Sequence, residues 1–190
     1  MMSINITKTN FMIFTRSKTK FTTRFMVNGI KLDLVKEQKV CGLWITDDIK
    51  WEKNTRELTK GAFARISMLT KLKYVGVALD ELVDVYKLFV RSLLEYCSVV
   101  WHSSLTVENI LRIERVQKAS LRVILGEMYV GYEAALEMCN LTTLSERREE
   151  RCLNFAKKCL KHPVNKRFFP LNPNCHNLHE KSKEKYTGKS

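Results

Sequence analysis

Six residues toward the C-terminus, Cys152, Cys159, His162, Cys175, His176 and His179, are of the types that ligate zinc. Structural zinc sites present their ligands in close pairs such as C-x2-C, because one turn must bring both thiolates to a single tetrahedral ion. Cys152 and Cys159 stand seven positions apart, which on a helix is one face but about 10 Å of axis, too far for one ion. Cys159 with His162, at i and i+3, is the only workable helical pair, and the sequence is read as holding no metal site. Asp47-Asp48 is the other tempting pair. Adjacent acids after a strand chelate magnesium in polymerases, but they also close turns by accepting backbone hydrogen bonds, and the turn is the favoured reading. There is no Gly-flanked serine, no phosphate-cradling glycine loop and no acid pair beside a base, so no residue is assigned a catalytic role.

The chemistry the chain does offer is cationic. Its 33 Lys and Arg against 20 Asp and Glu give a formal net charge of +13, and the pI is near 9.6. The excess is spread along the whole chain, and such a surface attracts polyanions. Lys53, Arg56, Lys60 and Lys71 fall on one arc of a helical wheel, and Arg115, Lys118 and Arg122 on another. From Arg115 to Arg122 a helix rises roughly 10 Å, about three phosphates of one duplex strand. Either stripe alone reads first as a solvated helix face; two stripes with this net charge bring the duplex-backbone reading level with that one.

These residues need elements to position them. A length of 190 residues, 45% hydrophobic with 7 Gly and 3 Pro, suits a globular chain able to bury a core. No run approaches the roughly 18 to 20 apolar residues of a membrane span, and Lys8, Arg16, Lys18 and Lys20 interrupt any signal-like block, so no membrane is expected and the location is read as intracellular. The six cysteines are read as reduced and mostly core. Phe11–Phe14 and Thr22–Val27 are short apolar runs, the second closed by the hairpin dipeptide Asn28-Gly29. Ile30–Leu34 alternates, and Val40–Ile45 reads as a buried strand ending at Thr46-Asp47-Asp48. Together they predict a small antiparallel sheet.

From Trp51 the period turns helical, with Trp51, Leu58, Ala62, Ile66 and Leu69 opposite the first basic stripe. A second helix is predicted over Asp80–His102, apolar almost all round, and a third over Glu108–Leu125, ended by Gly126. Gly131–Met138 reads as a short helix. Thr143-Leu-Ser-Glu146 has capping-box spacing and opens a last helix to about Lys161. Beyond Pro163 the chain is predicted extended or disordered. The fold class is thus α+β and mostly α: a sheet region over 1–50, a helical bundle over 51–162, and a basic tail over 163–190.

In this order the pieces resemble the end of a reverse transcriptase from a non-LTR (jockey-like, LINE-type) retrotransposon. Asn5-Ile-Thr-Lys8-Thr-Asn-Phe-Met12-Ile-Phe14 is similar to that family's N-x-x-K-T-x-x-M-x-F segment in the palm. Val40-Cys-Gly42-Leu-Trp-Ile45, then Asp47 and Trp51, resembles its primer-grip segment, with Val40-Cys41 where the family usually has Tyr-Leu. Leu93–Trp101, Ile113–Leu125, Tyr132–Leu136 and Arg147-Arg148 are similar to motifs of the helical thumb and the region after it, and Phe168–Tyr186 to the closing segment. The resemblance implies a palm remnant followed by a thumb. It puts Lys8 near the phosphates of the incoming nucleotide, Cys41, Gly42 and Leu43 in a primer-grip-like hairpin, and the basic helices against an RNA/DNA template-primer duplex. The family's F/Y-A-D-D hairpin, which holds Mg2+, would precede Met1, so this chain alone is expected to be inactive, to hold no cofactor and to have no small-molecule substrate of its own. The polymerase segment bearing those aspartates is a possible partner. The competing expectation is a non-enzymatic helical module that docks a protein.

Overall fold

The computed structural model describes residues 5–15 and 24–168. Contacts gather the chain into two compact units, Met1–Arg151 and Cys152–Ser190. The described chain is mostly helical, with a few short strands. The boundary expected between residues 50 and 51 falls inside the first unit, where Leu43 of the strand region is buried in the same core as Trp51 and Leu58.

The strands form three two-stranded ladders instead of one sheet. After a 3₁₀ turn over Ile6–Lys8, β1 (Asn10–Phe11) pairs in parallel with β4 (Asp33–Leu34). The expectation of a purely antiparallel sheet is corrected here: the Asn28-Gly29 reversal precedes β4, and the returning arm runs with β1, not against it. That reversal joins β2 (Met26–Val27) to β3 (Ile30–Lys31). Both of its residues have positive φ, 51° and 76°, as a tight turn matching the strands' right-handed twist requires.

The second correction concerns Val40–Ile45, which is a hairpin and not one strand. β5 (Glu37–Val40) ends at Cys41 and Gly42, with φ of 47° and 84°, and β6 (Leu43–Thr46) returns antiparallel to it. Tyr96 explains why the chain turns there. Its hydroxyl donates to the Cys41 carbonyl at 2.9 Å, and a Cβ on Gly42 would stand 3.2 Å from the ring's Cε1. Further along β6, the Trp44 amide donates to Asn54 Oδ1 at 3.1 Å and ties the hairpin to the bundle.

The bundle begins with α1 (Glu52–Tyr74), which buries Leu58, Ala62, Ile66 and Leu69 as its period predicts. Burying Leu58, Ile66 and Leu69 contributes of the order of 1.5 to 3 kcal/mol each, and the Ala62 methyl less. After Gly76, α2 (Leu79–Val85) leads through a π-helical segment, Tyr86–Arg91, into α3 (Ser92–Leu94). This run packs antiparallel on α1: Arg65 Nη1 donates to the Phe89 carbonyl, and Leu93 lies against Gly61.

The helix predicted over Asp80–His102 is therefore broken. Cys97 adopts φ 48°, and α4 (Ser98–Trp101) starts afresh after it. Two contacts hold the break: Trp101 Nε1 donates to the Tyr96 carbonyl at 3.0 Å, and the buried Glu95 is gripped by two arginines from α7 (Leu144–Lys161).

α5 (Val107–Leu125) starts at Thr106, whose hydroxyl accepts from the Asn109 amide, and stops at Gly126 with φ 59°. It packs on α1 in parallel. At one end a cavity of about 170 Å³ is lined by Trp51, Glu52, Thr106 and Asn109; at the other, Lys73 Nζ donates to the Ile124 carbonyl at 2.9 Å. α6 (Tyr132–Met138) follows.

At the start of α7 the expected capping box is present. The Glu146 amide donates to Thr143 Oγ1 at 3.2 Å, and the Thr143 amide to Glu146 Oε2 at 3.1 Å. In the second unit, α7 exposes Leu153, Phe155 and Leu160. Asn165–Phe168 then forms a 3₁₀ turn where extended chain was expected. Residues 169–190, with Cys175, His176 and His179, lie outside the described residues.

Candidate nucleic-acid interface

α1 presents its basic stripe opposite its buried arc. Arg56, Lys60 and Lys71 are exposed, and their side chains have no ion-pair partner among the described residues. On the wheel, Phe63 and Tyr74 lie among them, 46% and 92% exposed. Lys53, the fourth member, is committed elsewhere. Its ammonium pairs with Glu37 and sits 3.9 Å above the Trp44 ring, leaving the side chain 18% exposed. It fastens the β5–β6 hairpin to α1 and is not free to meet a phosphate.

The α5 stripe differs. Arg115 and Arg122 are exposed and Lys118 half-buried, but two of the three rest on aromatic rings: Lys118 Nζ is 4.7 Å from the Tyr132 centroid and the Arg122 guanidinium 5.3 Å from that of Tyr129. Such cation–π contacts hold the charge without neutralising it. Because α1 and α5 pack through their apolar arcs, and each stripe lies opposite its arc, the stripes face away from each other. The sequence treats them as one surface, whereas the fold puts them on two.

Of the residues taken from the palm resemblance, Lys8 is exposed at the end of the 3₁₀ turn before β1. Cys41 is exposed at the hairpin turn, Gly42 accommodates the Tyr96 ring, and Leu43 is 6% exposed in the core. Within the thumb-like motif Leu93–Trp101, Tyr96 is 45% exposed with its hydroxyl pinned, whereas Trp101 is fully buried.

Asp48 closes a turn, as favoured. Thr46 Oγ1 and the Lys50 amide donate to its Oδ1 at 2.7 and 3.0 Å, and these bonds hold its carboxyl below the usual carboxylate range. Cys159 is buried, while His162 is exposed and accepts from the Asn165 amide at 3.4 Å. Among the described residues no three His, Cys, Asp or Glu side chains converge as metal ligands would, and no helix is long and apolar enough to cross a membrane.

No protein-family model, curated protein or solved structure matches this chain.

A group that sequence reasoning missed lies at the helix break. Glu95, 4% exposed, receives Arg147 Nε at 2.7 Å on one carboxylate oxygen and Arg151 Nη1 at 3.3 Å on the other. Behind it is a polar interior. Tyr86 donates to Gln117 Oε1, Gln117 Nε2 to the Thr142 carbonyl at 2.9 Å, and Tyr132 to Glu114 Oε2 at 2.6 Å. The Ser145 amide takes the other Glu114 oxygen at 2.7 Å. Burial pushes the Tyr86 and Tyr132 phenols far up, so both stay protonated donors.

Arg148 is fully buried. Its Nε donates to His102 Nδ1 at 3.3 Å, while Nη1 and Nη2 have no partner. The signal for this region was legible in one respect: Glu95 stands in the run Leu93-Leu-Glu-Tyr-Cys97, whose neighbours are apolar enough to be buried, and a buried carboxylate requires cations.

Proposed function

We propose that this chain is the palm-edge and thumb part of a non-LTR retrotransposon reverse transcriptase, and that it holds an RNA/DNA template-primer duplex by its backbone along the outer face of α1. The observation that carries the binding reading is the unpaired cationic face of that helix. From Arg56 to Lys71 it rises roughly 22 Å, a length matching several phosphates of one strand. Exposed Phe63 between the cations and Tyr74 just beyond Lys71 suit contact with sugars or unpaired bases.

The family assignment rests on the ordered run of motifs from Asn5 to Tyr186. A turn at Gly42 ahead of a helical bundle is in keeping with it. Contacts of this kind fix the register of a duplex without reading its sequence. Nucleotide transfer belongs to the family's aspartate hairpin and its Mg2+, so the part assigned to this chain is to grip, alone or beside a segment that carries those aspartates.

The test is the salt dependence of binding to a short labelled RNA/DNA hybrid, read by fluorescence anisotropy. The full chain should bind with a steep fall in affinity as salt rises. The variant Arg56→Gln/Lys60→Gln/Lys71→Gln should flatten the log–log slope by about 2 to 3, near 0.9 for each phosphate no longer neutralised. An unchanged slope in a folded variant would remove the α1 face from the interface.

A further inference from the structure

Arg91, Arg147 and Arg151 surround Glu95 at the break between α3 and α4. Arg91 precedes Glu95 by four residues on one helical face, and the Glu95 amide donates to the Arg91 carbonyl at 3.0 Å. Arg147 and Arg151, one turn apart on α7, reach the same carboxylate. Each spends one N–H on it. Arg151 Nη1 also reaches the Glu95 main-chain carbonyl at 3.4 Å; the other guanidinium nitrogens of Arg147 and Arg151, and the whole Arg91 guanidinium, have no hydrogen-bond or ion-pair partner among the described residues. The side chains of Arg147 and Arg151 are 30% and 51% exposed, so the cluster opens to solvent.

Glu95 does not neutralise this group. Around Glu95 itself, one carboxylate stands against the three guanidinium groups of Arg91, Arg147 and Arg151. Glu95 and Glu114 already have both oxygens engaged. Burial first, and then the adjacent Arg147, lower the Arg91 pKa against the opposing pull of Glu95, while the hydrogen bond to Glu95 raises that of Arg147. Two further nitrogens, Arg148 Nη1 and Nη2, are buried in the same region without an acceptor. Guanidinium forks match phosphate oxygens bidentately, and forks already fixed by a carboxylate lose little freedom on binding.

We propose that Arg91, Arg147 and Arg151, held in place by Glu95, form a second binding point on this chain, for a phosphodiester group of a nucleic-acid backbone. It deepens the duplex-binding reading and rests on it. Glu95 is the positioning residue, and the three arginines are the contacts.

The test uses the full chain with Arg91→Gln and Arg151→Gln, each checked for helicity and melting temperature, on the same hybrid and salt series. Each should flatten the slope by about 1 and weaken binding about tenfold at roughly 0.1 M salt. Arg151→Lys, which keeps the charge but not the fork, should restore the slope and only part of the affinity. If the hybrid binds wild type steeply and both Gln variants behave as wild type, this site is overturned while the α1 reading stands. If wild type does not bind at all, both fall. Should a Gln variant not fold, phenylglyoxal labelling of wild type with and without the hybrid decides. Slowed modification at Arg91 and Arg151 supports the site; unchanged modification there, with protection at Arg56, overturns it.

Discussion

At the scale of single residues the most informative side chain is His102. Burial and the Arg148 guanidinium at its Nδ1 hold its pKa below the ordinary 6.5. The folded protein thus keeps a neutral imidazole where the unfolded chain would take up a proton. The unfolded state binds more protons below pH 6.5, so stability is fully present above that value and is lost as pH falls toward the folded pKa. Urea unfolding between neutral pH and mild acid should show the decline. In His102→Gln, whose amide oxygen still accepts from Arg148 Nε, the decline should shrink; an equal decline in the variant would assign it elsewhere. Tyr86 makes the complementary case. Fully buried, it donates to a glutamine that is itself fully buried, so Tyr86→Phe leaves Gln117 Oε1 without its donor and should cost about 1 to 3 kcal/mol. A cost near zero by chemical denaturation would mean that water takes over that acceptor.

At the scale of elements, the β5–β6 hairpin shows where sequence reading stops. The dipeptide Asn28-Gly29 was legible as a turn because both residues tolerate positive φ, whereas Cys41 reads as an apolar strand residue and hides the first corner of its turn. The deciding contact, the Tyr96 hydroxyl on the Cys41 carbonyl, comes from 55 residues away. Helices were legible wherever ends and faces are local matters: the arc of α1, Gly126, and the Thr143–Glu146 box. The break at residues 95–97 was not, because it depends on Arg147 and Arg151 meeting Glu95 across the fold. Gly42→Ala tests the hairpin. A Cβ would have to adopt φ 84° and crowd Tyr96, so a loss of about 1 to 2 kcal/mol is expected from the left-handed backbone alone. Cys41→Asn, with a side chain at home at positive φ, should be neutral or stabilising. Thermal melts of the pair check both; equal effects would mean the turn is not tight in solution.

At the scale of the whole chain, two consequences depend on how the elements of the first unit assemble, and neither is written in any one segment. The parallel packing of α1 on α5 divides the basic residues between opposite faces, so net charge alone overstates what one duplex can touch. The strand region carries the other. Three two-stranded ladders leave backbone edges unpaired, and Phe25, Met26, Ile30, Leu34 and Val40 beside those edges are each about half exposed or more. Short ladders with exposed apolar residues are templates for further strands. The chain should therefore self-associate with rising concentration, through the strand region and not the bundle. Ile30→Lys with Val40→Lys puts a charge on an exposed position of each hairpin, 53% and 46% accessible, so the core packing is left intact. Sedimentation velocity across a concentration series should show the variant shifted toward monomer, while its melting temperature stays within the small change usual for surface substitutions. If association persists undiminished, its source is not these edges. The exposed apolar residues of the second unit, Leu153, Phe155 and Leu160, would then be the surface to change next.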